Sequence, residues 1–276
     1  MFDIAPGRTD LQRARGRAAV AFGCRAGRTR LSGLHQSGCA KAMLPKVPGA
    51  PEAVFLNTAG GLTGGDRLEY VVDLAEGAEV RATTQTAERA YASAGGVAQV
   101  RCRLAAGQGS VLDWLPQETI LFDKCALERE TVVELEGDAR LLLCETLVFG
   151  RAAMGEAVHQ LHLSDRREIR RDGRPVLIDA VRMDAAAMAR SGGAAMLGEA
   201  RAVSMVALVE PGAEDALGPI RSLMQGAGPE LVAEASAWDG RCVIRLMARD
   251  LWPLRRMLVQ LLTHIRGTVP PRVWQN

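Results

Sequence analysis

The residues best placed to do chemistry are acidic. Glu145 stands inside the apolar run Leu141-Leu142-Leu143-Cys144-Glu145-Thr146-Leu147-Val148-Phe149. A carboxylate there is costly unless it is paired or hydrogen-bonded. Paired, it would form a salt bridge, with Arg151 a nearby candidate. Unpaired, it would line a polar passage or hold an ion in transit. Glu118 and Glu156 also border apolar β-type runs, at 116–122 and after Gly150-Arg151-Ala152-Ala153-Met154-Gly155.

The run Asn57-Thr58-Ala59-Gly60-Gly61-Leu62-Thr63-Gly64-Gly65-Asp66 places four glycines in six positions. Its spacing from Gly60 to Gly65 mimics the start of the phosphate-loop pattern G-x-x-x-x-G-K-[ST]. Asp66 and Arg67 then stand where Lys and Ser or Thr are required. A carboxylate there repels phosphate, and no hydroxyl is left for magnesium. The run reads as a tight double turn between strands, with glycine allowing close backbone approach or positive φ. The rival reading is a small-molecule or nucleotide-binding enzyme that uses residues 57–66 as a ligand loop.

Nucleophilic catalysis finds no G-x-S-x-G elbow. Of the four histidines, His159 and His162 are the only close pair, and on a strand they point to opposite faces. A metal site needs converging ligands. The six cysteines are scattered without a C-x-x-C pair, so a structural zinc site has no support. Cys102 and Cys242 fall in alternating runs and read as small core residues.

Thirty-four basic residues against 32 acidic ones give a net charge of +2. That balance excludes the strongly basic footprint of a nucleic-acid-binding domain, although local basic patches can exist. The first residues lack the apolar stretch of a secretory signal. No apolar run approaches a membrane span. These features place the chain in the cytoplasm, off the membrane.

The elements that must position these groups are mostly strands. Residues 67–74 are β-branched and aromatic, and 97–104 alternate apolar with polar, the period of a half-buried strand. Residues 127–135 and 139–149 flank Glu136-Gly137-Asp138 and read as a hairpin. Residues 158–170 and 175–181 flank Asp172-Gly173, a tight-turn signal. The run 166–171 reads as a solvated hairpin edge whose charge guards against edge pairing. Helical spacing appears at 213–225 and, after the N-cap residue Asp250, at 250–266 with Gly267 as its stop. Helices late in the chain, after most strands, predict a single mainly β unit over 1–276, without a parallel doubly wound sheet. Residues 190–198 read as a loop, and no internal repeat is visible. Arg272 and Trp274, after two prolines, read as an anchoring peptide, folded back or docked on a partner.

Four runs in this order, NTAGGLTGGD (57–66), PQETILF (116–122), GRAAMGE (150–156) and PRVW (271–274), resemble the urease accessory protein D family, also called the H-type accessory protein. The resemblance spans nearly the whole chain. Its partner-facing or structural motif positions are Asn57, Gly60, Gly61, Gly64, Gly65, Arg151, Met154, Arg272 and Trp274. His35, before Gln36, departs from the bulky aromatic residue the family pattern expects.

The resemblance implies stacked β-sheets in a helix-like or sandwich arrangement with two α-helices. It implies no catalytic centre and no tightly bound cofactor. It implies a maturation chaperone that binds urease apoprotein together with accessory protein F and the GTPase accessory protein G, in support of nickel insertion. GTP hydrolysis would belong to the G partner, in keeping with the failed phosphate loop. In that setting Asp66, Glu118, Glu145 and Glu156 are the expected members of an internal polar route for nickel. Carboxylates hold such an ion weakly, as transit requires, whereas Cys or His clusters would trap it.

Overall fold

The computed structural model describes residues 12–193 and 196–275. The chain opens with an antiparallel hairpin, β1 (Arg15–Arg25) and β2 (Arg28–Gly38), followed by β3 (Ala40–Met43) and β4 (Glu52–Asn57). It then winds in coils. The first coil is β5 (Arg67–Leu74), β6 (Glu79–Thr84) and the short β7 (Glu88–Ala90). The second is β8 (Ala98–Ala106), β9 (Val111–Trp114) and β10 (Thr119–Leu121), and the third is β11 (Ala126–Leu135) with β12 (Arg140–Phe149). A hairpin, β13 (His162–Arg171) and β14 (Arg174–Met183), closes the winding, and α1 (Ala185–Ala189) follows. The last part is β15 (Ala202–Val209), α2 (Leu217–Met224), β16 (Leu231–Trp238), β17 (Arg241–Ala248) and α3 (Leu251–Arg266).

Successive coils stack strand on like strand. One sheet has seven strands in the order β14-β13-β11-β8-β5-β1-β2, and its centre from β1 to β13 is parallel. The second sheet runs β16-β17-β15-β12-β9-β6-β4-β3, with β7 and β10 on a third side. β12 spans two roles: its first half pairs with β9, and its second half pairs with β10.

Alternation sets which side chains meet inside. In β8, Ala98, Val100, Cys102, Leu104 and Ala106 are buried, while Arg101 and Arg103 face water. β12 is buried on both faces because the first sheet covers one and helices cover the other. Leu141, Leu143, Leu147 and Phe149 join the core between the sheets; Leu142, Cys144 and Val148 join a second core under α2 and α3. Glu145 shares the phase of Leu143 and Leu147, so it points between the sheets.

The strands at 67–74 and 98–106 and the β13–β14 hairpin follow the sequence reading, with Asp172 (φ 50°) and Gly173 (φ 74°) at the turn. Asp250 caps α3 through its carboxylate to the Trp252 N–H at 2.8 Å, and Gly267 ends it at φ 66°. The expected helix at 213–225 is a 3-10 turn, Ala213–Ala216, running into α2. One reading needs correction. Residues 127–135 and 139–149 are no hairpin: β11 pairs with β8 and β13, β12 pairs with β9, β10 and β15, and 136–138 arches between the sheets. A polar turn looks the same in sequence whether the chain folds back in one sheet or crosses to another. The first sheet is largely parallel, yet its crossovers run through strands of the second sheet and not through helices, so it is no doubly wound sheet, as the sequence led one to expect. Residues 194 and 195 of the expected loop at 190–198 lie outside the described residues.

Candidate functional site

Glu145 is 2% exposed and sits at the centre of a buried ionic cluster. Its Oε1 accepts from the Trp114 indole at 3.1 Å and from the Thr131 hydroxyl at 2.8 Å. Its Oε2 accepts from Arg167 Nε at 2.7 Å and lies 3.3 Å from Arg129 Nη2. Arg129 grips both oxygens of Asp165, at 2.8 and 2.7 Å, and also donates to Thr119. Arg167 bonds Asp165 too and reaches Asp179 at 2.9 Å; Asp179 in turn holds Arg245, whose side chain is 59% exposed. Three cations thus face three carboxylates in a chain from core to surface. Burial pushes the Asp165 carboxyl up, but Arg129 and Arg167 more than reverse this and hold it below the ordinary carboxylate value. Arg129 stays charged: burial works against it, and Asp165 and Glu145 outweigh that.

Two cavities meet at this cluster. One, of about 100 Å³, runs from Asn57, Gly60 and Glu88 past Cys102 to Arg129 and Glu145. The other, of about 200 Å³, lies beyond Glu145, walled by apolar side chains and ending at Asp179 and Arg245. Glu145 lines both. The Cys102 thiol is pushed up to about 12 by burial, then by the charge of Glu145, so it stays protonated and is a poor metal ligand.

Glu88, on β7, escaped the sequence reading. Asn57 Nδ2 donates to both of its oxygens, at 3.3 and 3.2 Å, and the Arg89 N–H donates at 3.1 Å. Burial raises its pKa to about 7, the bonds from Asn57 and Arg89 only partly offsetting it. The sign follows. Below its ordinary value of 4.5 the carboxyl is neutral folded or unfolded; between there and about 7 the unfolded state ionises and the folded state resists. Stability therefore falls as pH rises across that window. Glu88→Gln is expected to abolish this slope and to gain about 2 kcal/mol relative to the parent at pH 8, less than full linkage because the group is partly exposed. Urea melts of both proteins at pH 5 and pH 8 check it, and parallel stability profiles would refute it.

The other three acids hold the frame. Asp66 Oδ1 accepts from the Ala14 N–H and Oδ2 from the Thr63 N–H, both at 2.8 Å, closing the glycine turn. That turn leads into a strand, and its N–H of Thr63 is spent on Asp66, an arrangement unlike a phosphate cradle. Glycine is needed at Gly61 and Gly64: a Cβ would lie 2.3 Å from the Tyr91 ring in one case and 2.0 Å from Ser93 Oγ in the other. Glu156 ties the backbone N–H and the Nε of Arg151 together, at 3.0 and 2.8 Å. Glu118 bonds Arg255 of α3 at 3.1 Å. Neither Asp66, Glu118 nor Glu156 lines the two cavities. Arg151 pairs with Glu156 and not with Glu145, and Arg167, within the supposedly solvated run 166–171, is buried.

Three of the sequence motifs, 57–66, 116–122 and 150–156, nonetheless meet around Tyr91 and Phe122. The Tyr91 hydroxyl donates to the Gly60 carbonyl at 3.2 Å, and its ring meets Phe122 edge-on. Arg151 stacks over Phe122 at 4.3 Å, and Met154, in the same motif run, is 71% exposed. His162 lies near Glu128, away from this region, and among the described residues no group of three His, Cys, Asp or Glu side chains could hold a metal ion. No described helix is long and apolar enough to cross a membrane.

The profile of the family described as UreD urease accessory protein matches residues 14–275. The chain belongs to the UreD family. A UreD from Cereibacter sphaeroides is 52% identical over 274 residues, covering 99% of each chain, and one from Paracoccus denitrificans is 50% identical over 277 residues, covering 100% of this chain and 96% of its own. A UreD from Rhizobium leguminosarum is 42% identical over 273 residues, covering 98% of both. All three are named urease accessory proteins. The UreD match takes in the four motif runs, the ionic cluster and both cavities.

Proposed function

We propose that this chain is a cytoplasmic urease maturation chaperone that binds urease apoprotein with accessory proteins F and G and passes nickel through its interior. What carries the reading is the pair of cavities that meet at one buried carboxylate. A cation entering past Glu88 finds oxygen donors and a protonated thiol, a lining that releases as readily as it binds. Glu145 is the exchange point, because it lines both cavities. Arg129 and Arg167 keep it from acting as a sink by competing for the same oxygens. Asp66, Glu118 and Glu156 serve the route by fixing the turns and strands that wall it.

The test is urease activation in a heterologous host supplied with nickel, carrying the urease subunits and the accessory proteins. Glu88→Gln and Glu145→Gln are expected to lower urease nickel content at least tenfold while the complex still co-purifies. Full nickel loading with both variants would sink the internal route. Loss of the complex itself would assign the two carboxylates to assembly.

A further inference from the structure

The outer face of the first sheet follows a rule and breaks it once. Across five parallel strands Arg17, Glu69, Arg101, Glu130 and Arg166 lie side by side, alternating in sign. Arg17 bonds Glu69 at 3.0 Å in keeping with that rule. The adjacent row begins with Arg15 directly opposite Arg67. Like charges facing each other across paired strands are destabilising, and no described acidic side chain pairs with either of these two. Arg15, Arg67 and Arg101 make no ion pair or side-chain hydrogen bond among the described residues, and Gln99 follows Arg67 in the row.

These side chains wall a groove of about 450 Å³, lined by Arg15, Arg17, Arg67, Arg101 and one acid, Glu69. Its floor includes Gly16 and Gly38, where backbones approach closely: a Cβ on Gly38 would lie 1.8 Å from the Arg15 carbonyl oxygen. We propose that this groove is the docking site for an acidic segment of a partner protein. Guanidinium groups match carboxylates in bidentate fashion. The groove crosses four neighbouring strands, β2, β1, β5 and β8, roughly 14 Å at about 4.8 Å per step, which suits a short peptide. Glu69 and Glu128 at its margin, in a chain of near-neutral charge, disfavour a continuous phosphate backbone.

Fluorescence anisotropy of the full chain with a labelled octaglutamate peptide at low salt tests this. Arg15→Glu and Arg67→Glu are each expected to weaken binding at least tenfold. Arg174→Glu, an exposed arginine on β14 with the same change in net charge, is expected to stay within twofold. Equal weakening by all three would mean only general attraction. Tighter binding of an eight-nucleotide single-stranded oligothymidylate through the same arginines would make the partner a nucleic acid, and absent peptide binding would remove the site. Arg15→Gln supplies a readout independent of folding damage: relieved repulsion should raise the melting temperature while peptide binding falls. A lowered melting temperature would make Arg15 a structural residue and overturn the proposal.

Discussion

Arg167→Met is expected to destabilise the folded protein by about 3–5 kcal/mol, the cost of leaving buried carboxylates without their cation. Arg167 is 3% exposed and joins Glu145, Asp165 and Asp179. Without it Arg129 faces Glu145 and Asp165 alone, and Asp179 keeps only the exposed Arg245. The pH dependence separates this from lost packing. In the parent, Asp165 is held below its ordinary value, so its contribution is complete above the unfolded value of about 3.9 and is lost as pH falls through the lower folded one. In the variant the uncompensated carboxyls resist ionisation, so the deficit grows as pH rises from 5 to 7. Urea melts at both pH values measure it, with Arg245→Met as the exposed comparison, expected to cost about 1 kcal/mol or less. A deficit below that for Arg167→Met, or one independent of pH, would show that the cluster is not an electrostatic unit.

Residue phase was legible in the sequence; partnership was not. In Arg166-Arg167-Glu168-Ile169-Arg170-Arg171, Arg167 shares the phase of Ile169, which is fully buried, so its inward direction could have been read. Its charge hid this, since arginine is seldom buried unless paired. The pairing acid lies on β12 of the opposite sheet, and sequence proximity pointed Glu145 toward Arg151 instead. The arch at 136–138 misled for the same reason: local pattern reports which face a residue occupies, not which strand lies beside it. Coils that stack strand on strand usually show a repeat, yet β12 runs unbroken where the preceding coil splits into β9 and β10, so no period survives. Glu88 lies on a strand of three residues, too short to show alternation, and its role depends on Asn57 reaching across from the glycine turn. The late helices and the glycine turn were legible because caps, stops and close backbone approach act within a few residues.

Trp274→Ala is expected to cost about 3–5 kcal/mol in the isolated chain. The sequence left two uses open for the terminal anchor, and the packing decides between them. Trp274 is 4% exposed; its indole donates to the Leu115 carbonyl at 2.9 Å, and Arg255 lies over its ring at 5.0 Å. Gln117 donates to the Val273 carbonyl at 3.1 Å, and Arg255 bonds Gln117 at 2.6 Å and Glu118 at 3.1 Å. The tail therefore pins residues 115–118, which lead directly into Thr119, a neighbour of Arg129 in the ionic cluster. Trp274→Phe keeps most of the packing and loses only the indole hydrogen bond, so about 1–2 kcal/mol is expected. The two variants should rank in that order in urea melts, and the alanine variant should also speed hydrogen exchange at 115–121. An anchor that served only a partner would leave the isolated chain's melt unchanged in both, because its burial would then exist only in the complex.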